Sequence, residues 1–180
     1  MAPDIRVLYD EATIAERIDA LAEEIKGAGR PDLLVIAVLK GSFVFAADLI
    51  RAMHHAGLAP EIEFIHLSSY GAGTTSSGEV KILRDVDNDV TGRNVLLVDD
   101  ILESGRTLAF AKDLMRSRGA STVEVVALLD KPENRVADIH ADYRGFECPD
   151  KFVIGYGMDM GHAWRQLPYI GYVVQEDEED

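Results

Sequence analysis

The sequence predicts one three-layer α/β domain, a mainly parallel sheet with helices on its faces. Short, almost purely apolar runs recur at 33–39, 95–98 and 123–129, as strands covered on both faces require. Helix-compatible segments stand between them, so strand and helix alternate through the middle of the chain. No internal repeat or linker divides the 180 residues, and a hydrophobic content of 47% supports one sizeable core.

Each element has its own signal. Residues 11–26 carry Ile14, Ile18, Leu21 and Ile25 at helical spacing on one side. Leu33 to Leu39 reads as a buried parallel strand. Residues 42–56 read as a helix closing near Gly57. Glu61 to Leu67 alternates polar and apolar, the period of a strand. The segment 68–80 is rich in Gly, Ser and Thr and predicts a flexible loop, of a length that suits an active-site lid. Its Gly71-x-Gly73 is not a dinucleotide loop, because the third Gly is missing and no helix pattern follows. Val95 to Val98 is the next strand and 106–118 the next helix, with Gly119 at its C-terminal end. Val123 to Leu129 is another buried strand, and Phe152–Ile154 and Tyr169–Val174 are the last two.

Composition excludes several classes. There are 32 acidic residues against 18 basic, a net charge of −14, which opposes a broad nucleic-acid footprint. Part of the excess is the tail 175–180, expected as a solvated acidic run after a domain spanning 1–174. No apolar stretch is long enough for a membrane helix, and residues 1–10 lack a signal-peptide core. The single cysteine, Cys148, has no partner for an intrachain disulfide, so a reducing cytoplasm is the expected location. The five histidines show no metal-ligand spacing.

The most informative stretch is Val95 to Leu108. An apolar run ends in Asp99 and Asp100, and a small polar loop, Glu103-Ser104-Gly105-Arg106-Thr107, leads into a helix. Ligands of parallel sheets bind beyond the carboxyl ends of strands. The loop offers backbone N–H groups, two hydroxyls and a helix N-terminus, which suit a phosphate. Asp99 and Asp100 suit hydroxyl groups or a hard cation such as Mg²⁺. A phosphate cradle beside such an acid pair describes a phosphorylated ribose.

This stretch resembles the 5-phosphoribosyl 1-diphosphate (PRPP) motif of type I phosphoribosyltransferases. Leu39-Lys40-Gly41-Ser42, at a strand-to-helix junction, is similar to the pyrophosphate loop of the purine branch, where the Leu-Lys peptide is often cis. Pro149 to Asp159, with Lys151-Phe152-Val153-Ile154-Gly155-Tyr156, and Trp164 to Gly171 resemble hypoxanthine-guanine phosphoribosyltransferases, so the likeness runs from about 30 to about 174. It implies the type I fold, with a small hood formed by the chain ends. It also implies purine salvage from PRPP, Mg²⁺ as cofactor, and a homodimer or homotetramer.

The resemblance also assigns roles. Phe152 would stack on a 6-oxopurine, Lys131 would donate to its O6, and the Val153 backbone would bond the base edge, with Lys151 in the same base-binding segment. The Asp159 carbonyl would reach a 2-amino group and its carboxylate a Mg²⁺, alongside Asp99 and Asp100. Lys40, Gly41 and Arg165 would hold pyrophosphate. Ser104, Gly105, Arg106 and Thr107 would cradle the 5′-phosphate, and Ser69 and Tyr70 would close the lid. Glu103 would accept the proton from N7 of the base. The family carries Asp at that position, and the extra methylene displaces the carboxylate by about 1.5 Å. Two other functions remain open from sequence: a PRPP-sensing RNA attenuation regulator, which the charge opposes, and a xanthine-preferring transferase. Lys131 argues against adenine, whose 6-amino group is itself a donor.

Overall fold

The computed structural model describes residues 3–69 and 79–174. Its main sheet has six strands: β2 (Leu33–Leu39), β3 (Glu61–Ser69), β4 (Val80–Arg84), β5 (Asn94–Leu102), β6 (Thr122–Asp130) and β7 (Tyr143–Glu147). Their order is β4-β3-β2-β5-β6-β7, all parallel except the β3–β4 pair. Residues 34–38 of β2 and 95–98 of β5 are all buried, which explains their unbroken apolar runs. A second sheet joins β1 (Ile5–Tyr9), β9 (Ile170–Val173) and β8 (Val153–Ile154). It is the hood expected from the chain ends.

Helices α1 (Glu11–Gly27) and α2 (Phe43–His55) cover one face of the main sheet and α3 (Arg106–Ser117) the other. The fold therefore has the three layers expected. The Asp10 carboxylate starts α1 by accepting from the Thr13 N–H at 2.8 Å. Ile14, Ile18, Leu21 and Ile25 are its buried stripe, packed with Phe45, Leu49 and Met53 of α2. On the other face Leu108, Ala111 and Met115 of α3 meet Ile36, Leu97 and Val125. Tyr9 stacks on Phe146 at 4.1 Å between ring centres, linking the hood to the edge of the main sheet. Among the described residues, no helix is long and apolar enough to cross a membrane.

Two boundaries differ from expectation in ways that bear on the site. Strand β5 does not stop at Val98 but continues through the acid pair to Leu102. The reason is β6, which supplies ladder partners for Asp99, Ile101 and Leu102 at Ala127, Leu129 and Asp130. The carboxylates thus stand on strand backbone rather than in a turn. The predicted lid is shorter than 68–80, because Ser68 and Ser69 complete β3 and Val80 opens β4. Residues 70–78 and the acidic tail 175–180 lie outside the described residues.

Candidate active site

After β2 the chain crosses to β3 on one side, and β5 then returns to the opposite side of β2. That reversal opens a crevice at the carboxyl ends of β2 and β5, where open α/β sheets bind ligands. A cavity of about 270 Å³ occupies it. Lys40 and Gly41 line it from the turn after β2, Ser69 from β3, and Asp99, Asp100, Glu103, Ser104, Gly105 and Thr107 from β5 and the segment after it. Nine of the residues expected at the active site are thereby gathered in one place. Arg106 begins α3 beside it, its N–H directed at Ser104 Oγ (3.4 Å), and Tyr70 lies outside the described residues.

The backbone shapes the cavity at both edges. The Leu39–Lys40 peptide is cis, as the resemblance implied. A Cβ on Gly41 would run into the Asp100 carboxylate, so glycine lets the pyrophosphate-type loop close against the acid pair without displacing that side chain. Gly105 has φ +82° and hands the loop to α3 without a side-chain cap, leaving the helix N-terminus open to an anion. The Ser104 carbonyl accepts from the N–H groups of Val136 (2.9 Å) and Ala137 (3.0 Å), which holds the loop in place. Ser42, fully buried, donates to the Val38 carbonyl at 2.5 Å and secures the other edge.

Electrostatically the site is an acid pair in search of positive charge. Asp99 is 8% exposed, and burial together with the adjacent Asp100 carboxylate pushes it well above the usual carboxylate range. Its Oδ1 accepts from the Asp100 N–H at 2.9 Å. A hard divalent cation or ribose hydroxyls would relieve that repulsion, and two carboxylates with substrate oxygens are the usual company of Mg²⁺. Among the described residues no group of three His, Cys, Asp or Glu assembles as a metal cage. Asp159 stands instead with Arg165 (3.4 Å), its Oδ2 accepting from the His162 N–H (2.8 Å).

The C-terminal candidates do not line this cavity; Lys131 and Gly157 stand beside residues that do. Arg165 Nη1 donates to the Gly157 carbonyl at 2.7 Å, and Gly157 packs on the Gly41 carbonyl. Lys131 is 6% exposed at the end of β6. Its ammonium donates to the Lys151 carbonyl (2.6 Å) and lies 3.8 Å from Glu103. One of its three protons is engaged in that hydrogen bond, and the ammonium can still donate to an acceptor such as a purine O6. Phe152 is 53% exposed just before β8, while Val153 is buried within it. Phe152 is therefore not the ordinary core residue that its strand context would suggest.

Sequence reasoning missed the supports. Arg135 donates to the Glu103 carbonyl (2.9 Å) and the Leu102 carbonyl (3.2 Å) and pairs with Asp130. Nothing local marks Arg135 as anything but a loop cation. A larger groove of about 700 Å³ lies between α1, α2 and the segment 156–168, with Arg165 on its rim. The acid pair and the phosphate loop are not part of it.

Residues 6–160 match the phosphoribosyl transferase domain model. The chain belongs to the phosphoribosyl transferase family. A hypoxanthine-guanine phosphoribosyltransferase of Bacillus subtilis (strain 168) is 46% identical over 167 residues, covering 92% of this chain and 91% of that protein. The crystal structure of a Staphylococcus aureus hypoxanthine phosphoribosyltransferase superposes with a TM-score of 0.89 at 39% identity, over 97% of this chain and 94% of the other. A Bacillus anthracis hypoxanthine-guanine phosphoribosyltransferase gives 0.86 at 43% identity, over 97% and 100%. The phosphoribosyl transferase fold thus extends over nearly the whole chain, hood included.

Proposed function

We propose that this phosphoribosyl transferase makes IMP or GMP and pyrophosphate from PRPP and hypoxanthine or guanine, as an enzyme of purine salvage. The observation that carries the reading is the junction of two half-sites. The acid pair and phosphate loop meet the exposed Phe152 platform through Glu103, Lys131 and the Lys151 carbonyl. A ribose-phosphate pocket alone would fit any member of the family; a buried lysine donor beside an open aromatic face fits a 6-oxopurine.

The residues divide the chemistry. Asp99 and Asp100 hold the ribose hydroxyls, and their negative charge favours the oxocarbenium character that develops at C1′. Ser104, Gly105, Arg106, Thr107 and the start of α3 bind the 5′-phosphate. Lys40, the Gly41 backbone and Arg165 stabilise charge on the departing pyrophosphate. Phe152 stacks on the base, Val153 bonds its edge, Lys131 donates to O6, and Lys151 lends its carbonyl to orient Lys131. As the C1′–O bond breaks and the C1′–N bond forms, Glu103 takes the N7 proton. Bound Mg²⁺ would neutralise diphosphate charge. The Asp99–Asp100 pair and, separately, Asp159 are the carboxylates that would hold it. Ser69 and Tyr70 exclude water from the reacting centre. The active form is a homodimer or homotetramer in the cytoplasm.

The test is a PRPP- and Mg²⁺-dependent assay with hypoxanthine, guanine, xanthine, adenine and uracil offered separately. Turnover of hypoxanthine or guanine with little for adenine or uracil is expected. PRPP binding without turnover of any base would overturn the enzymatic reading.

A further inference from the structure

Glu103 is 48% exposed in its side chain, and it has one more rotatable bond than an aspartate. A proton acceptor with that freedom loses orientation unless something holds it. Two residues of one short segment do so. Lys131 lies 3.8 Å from Glu103 Oε1, and the Asn134 side-chain amide donates to the same oxygen at 3.1 Å. Asn134 closes the 3-10 turn Pro132–Asn134 that follows β6. Its Nδ2 also donates to Asp150 Oδ1 at 3.0 Å, and Lys131 donates to the Lys151 carbonyl at 2.6 Å. Each therefore spans from Glu103 to the turn that precedes Phe152. The orientation of the amide is set by chemistry, because only its NH₂ end can serve two carboxylates at once.

We infer that Asn134 is a positioning residue for Glu103, fixing its carboxylate at the reacting edge of the base and tying it to the base-binding turn. The inference rests on Glu103 acting as the proton acceptor in the function proposed above. Asn134 is the better orienting partner of the two. Its amide is a neutral donor that makes short, directional hydrogen bonds to carboxylates, whereas the lysine contact is a longer charge pair that must also serve the base. It touches no reacting atom itself; it acts through Glu103.

The experiment is a double-mutant cycle in steady-state kinetics with PRPP and hypoxanthine, run beside thermal melts. Asn134→Ala should lower kcat on the order of tenfold with little change in the KM for PRPP. In a Glu103→Gln background the same change should cost less than about twofold, since no proton acceptor remains to be oriented. Asn134→Asp, similar in shape but facing two carboxylates, should be worse than alanine. Melting temperatures should stay within about 2 °C, as for other substitutions at a partly exposed site. Equal losses in both backgrounds, or full activity for Asn134→Asp, would overturn the positioning role while leaving the proposed function intact. A wild-type chain that turns over no base would overturn the function, and this inference with it.

Discussion

Asp100 and Lys131 allow the two halves of the site to be disabled separately. In the proposed function Asp100 serves the ribose half; it lies next to Gly41, with its backbone N–H on Asp99. Asp100→Ala should lower kcat/KM for PRPP by about two orders of magnitude while leaving free-base binding nearly unchanged. Isothermal titration with each ligand checks this, and equal losses would contradict the ribose role. In the proposed function Lys131 serves the base half. Lys131→Ala should erode the preference for 6-oxopurines over adenine by roughly 10- to 100-fold, because a buried donor is what penalises the wrong base. An unchanged ratio of kcat/KM values would remove Lys131 from the base pocket. The substitution also frees the Lys151 carbonyl, so a rise in KM for hypoxanthine should accompany it.

At the scale of elements, the decisive feature is how β5 passes into α3. The strand carries the acid pair, and the loop turns within a few residues to present a helix N-terminus. Gly105 makes that possible, with φ +82° and Ile139 and Arg135 packed where a side chain would go. Gly105→Ala should destabilise the fold by about 1–3 kcal/mol, through backbone strain and overpacking together. It should also raise the KM for PRPP, since the N–H groups at the start of α3 would be re-aimed. A thermal melt paired with PRPP kinetics checks both. The motif was legible in sequence because all its parts are contiguous. The extent of β5 was not, since its last residues are strand only by pairing with β6. The strands β1, β4 and β7 went unrecognised for a related reason. Each is a five-residue element with mixed or exposed side chains, defined by its neighbours rather than by a hydrophobic pattern.

For the whole molecule, Tyr156 is an instructive tie. It lies among the buried residues between the hood and α2, and its hydroxyl donates to Asp48. Burial, and then the hydrogen bond to the Asp48 carboxylate, raise its phenol well above the ordinary value. The unfolded chain releases that proton near pH 10, while the folded chain retains it. The folded state then binds more protons, so this contribution is complete below about pH 10 and is lost as pH rises further. Tyr156→Phe should cost about 1 kcal/mol at neutral pH. It should also flatten the decline of melting temperature above pH 10; an unchanged alkaline slope would remove Tyr156 from the linkage.

The chain by itself determined the alternation of buried strands and helices, the ribose-phosphate motif and the residue types of the base segment. These are local properties, written in hydrophobic period and in short contiguous runs. Only the tertiary structure decided that β2 and β5 are neighbours, so that Lys40–Gly41 closes on Asp100 across some sixty residues of sequence. It alone brought Lys131, Asn134 and Arg135 onto Glu103. Such contacts depend on how strands are ordered in a sheet, and strand order is a property of the packed whole that no single segment encodes.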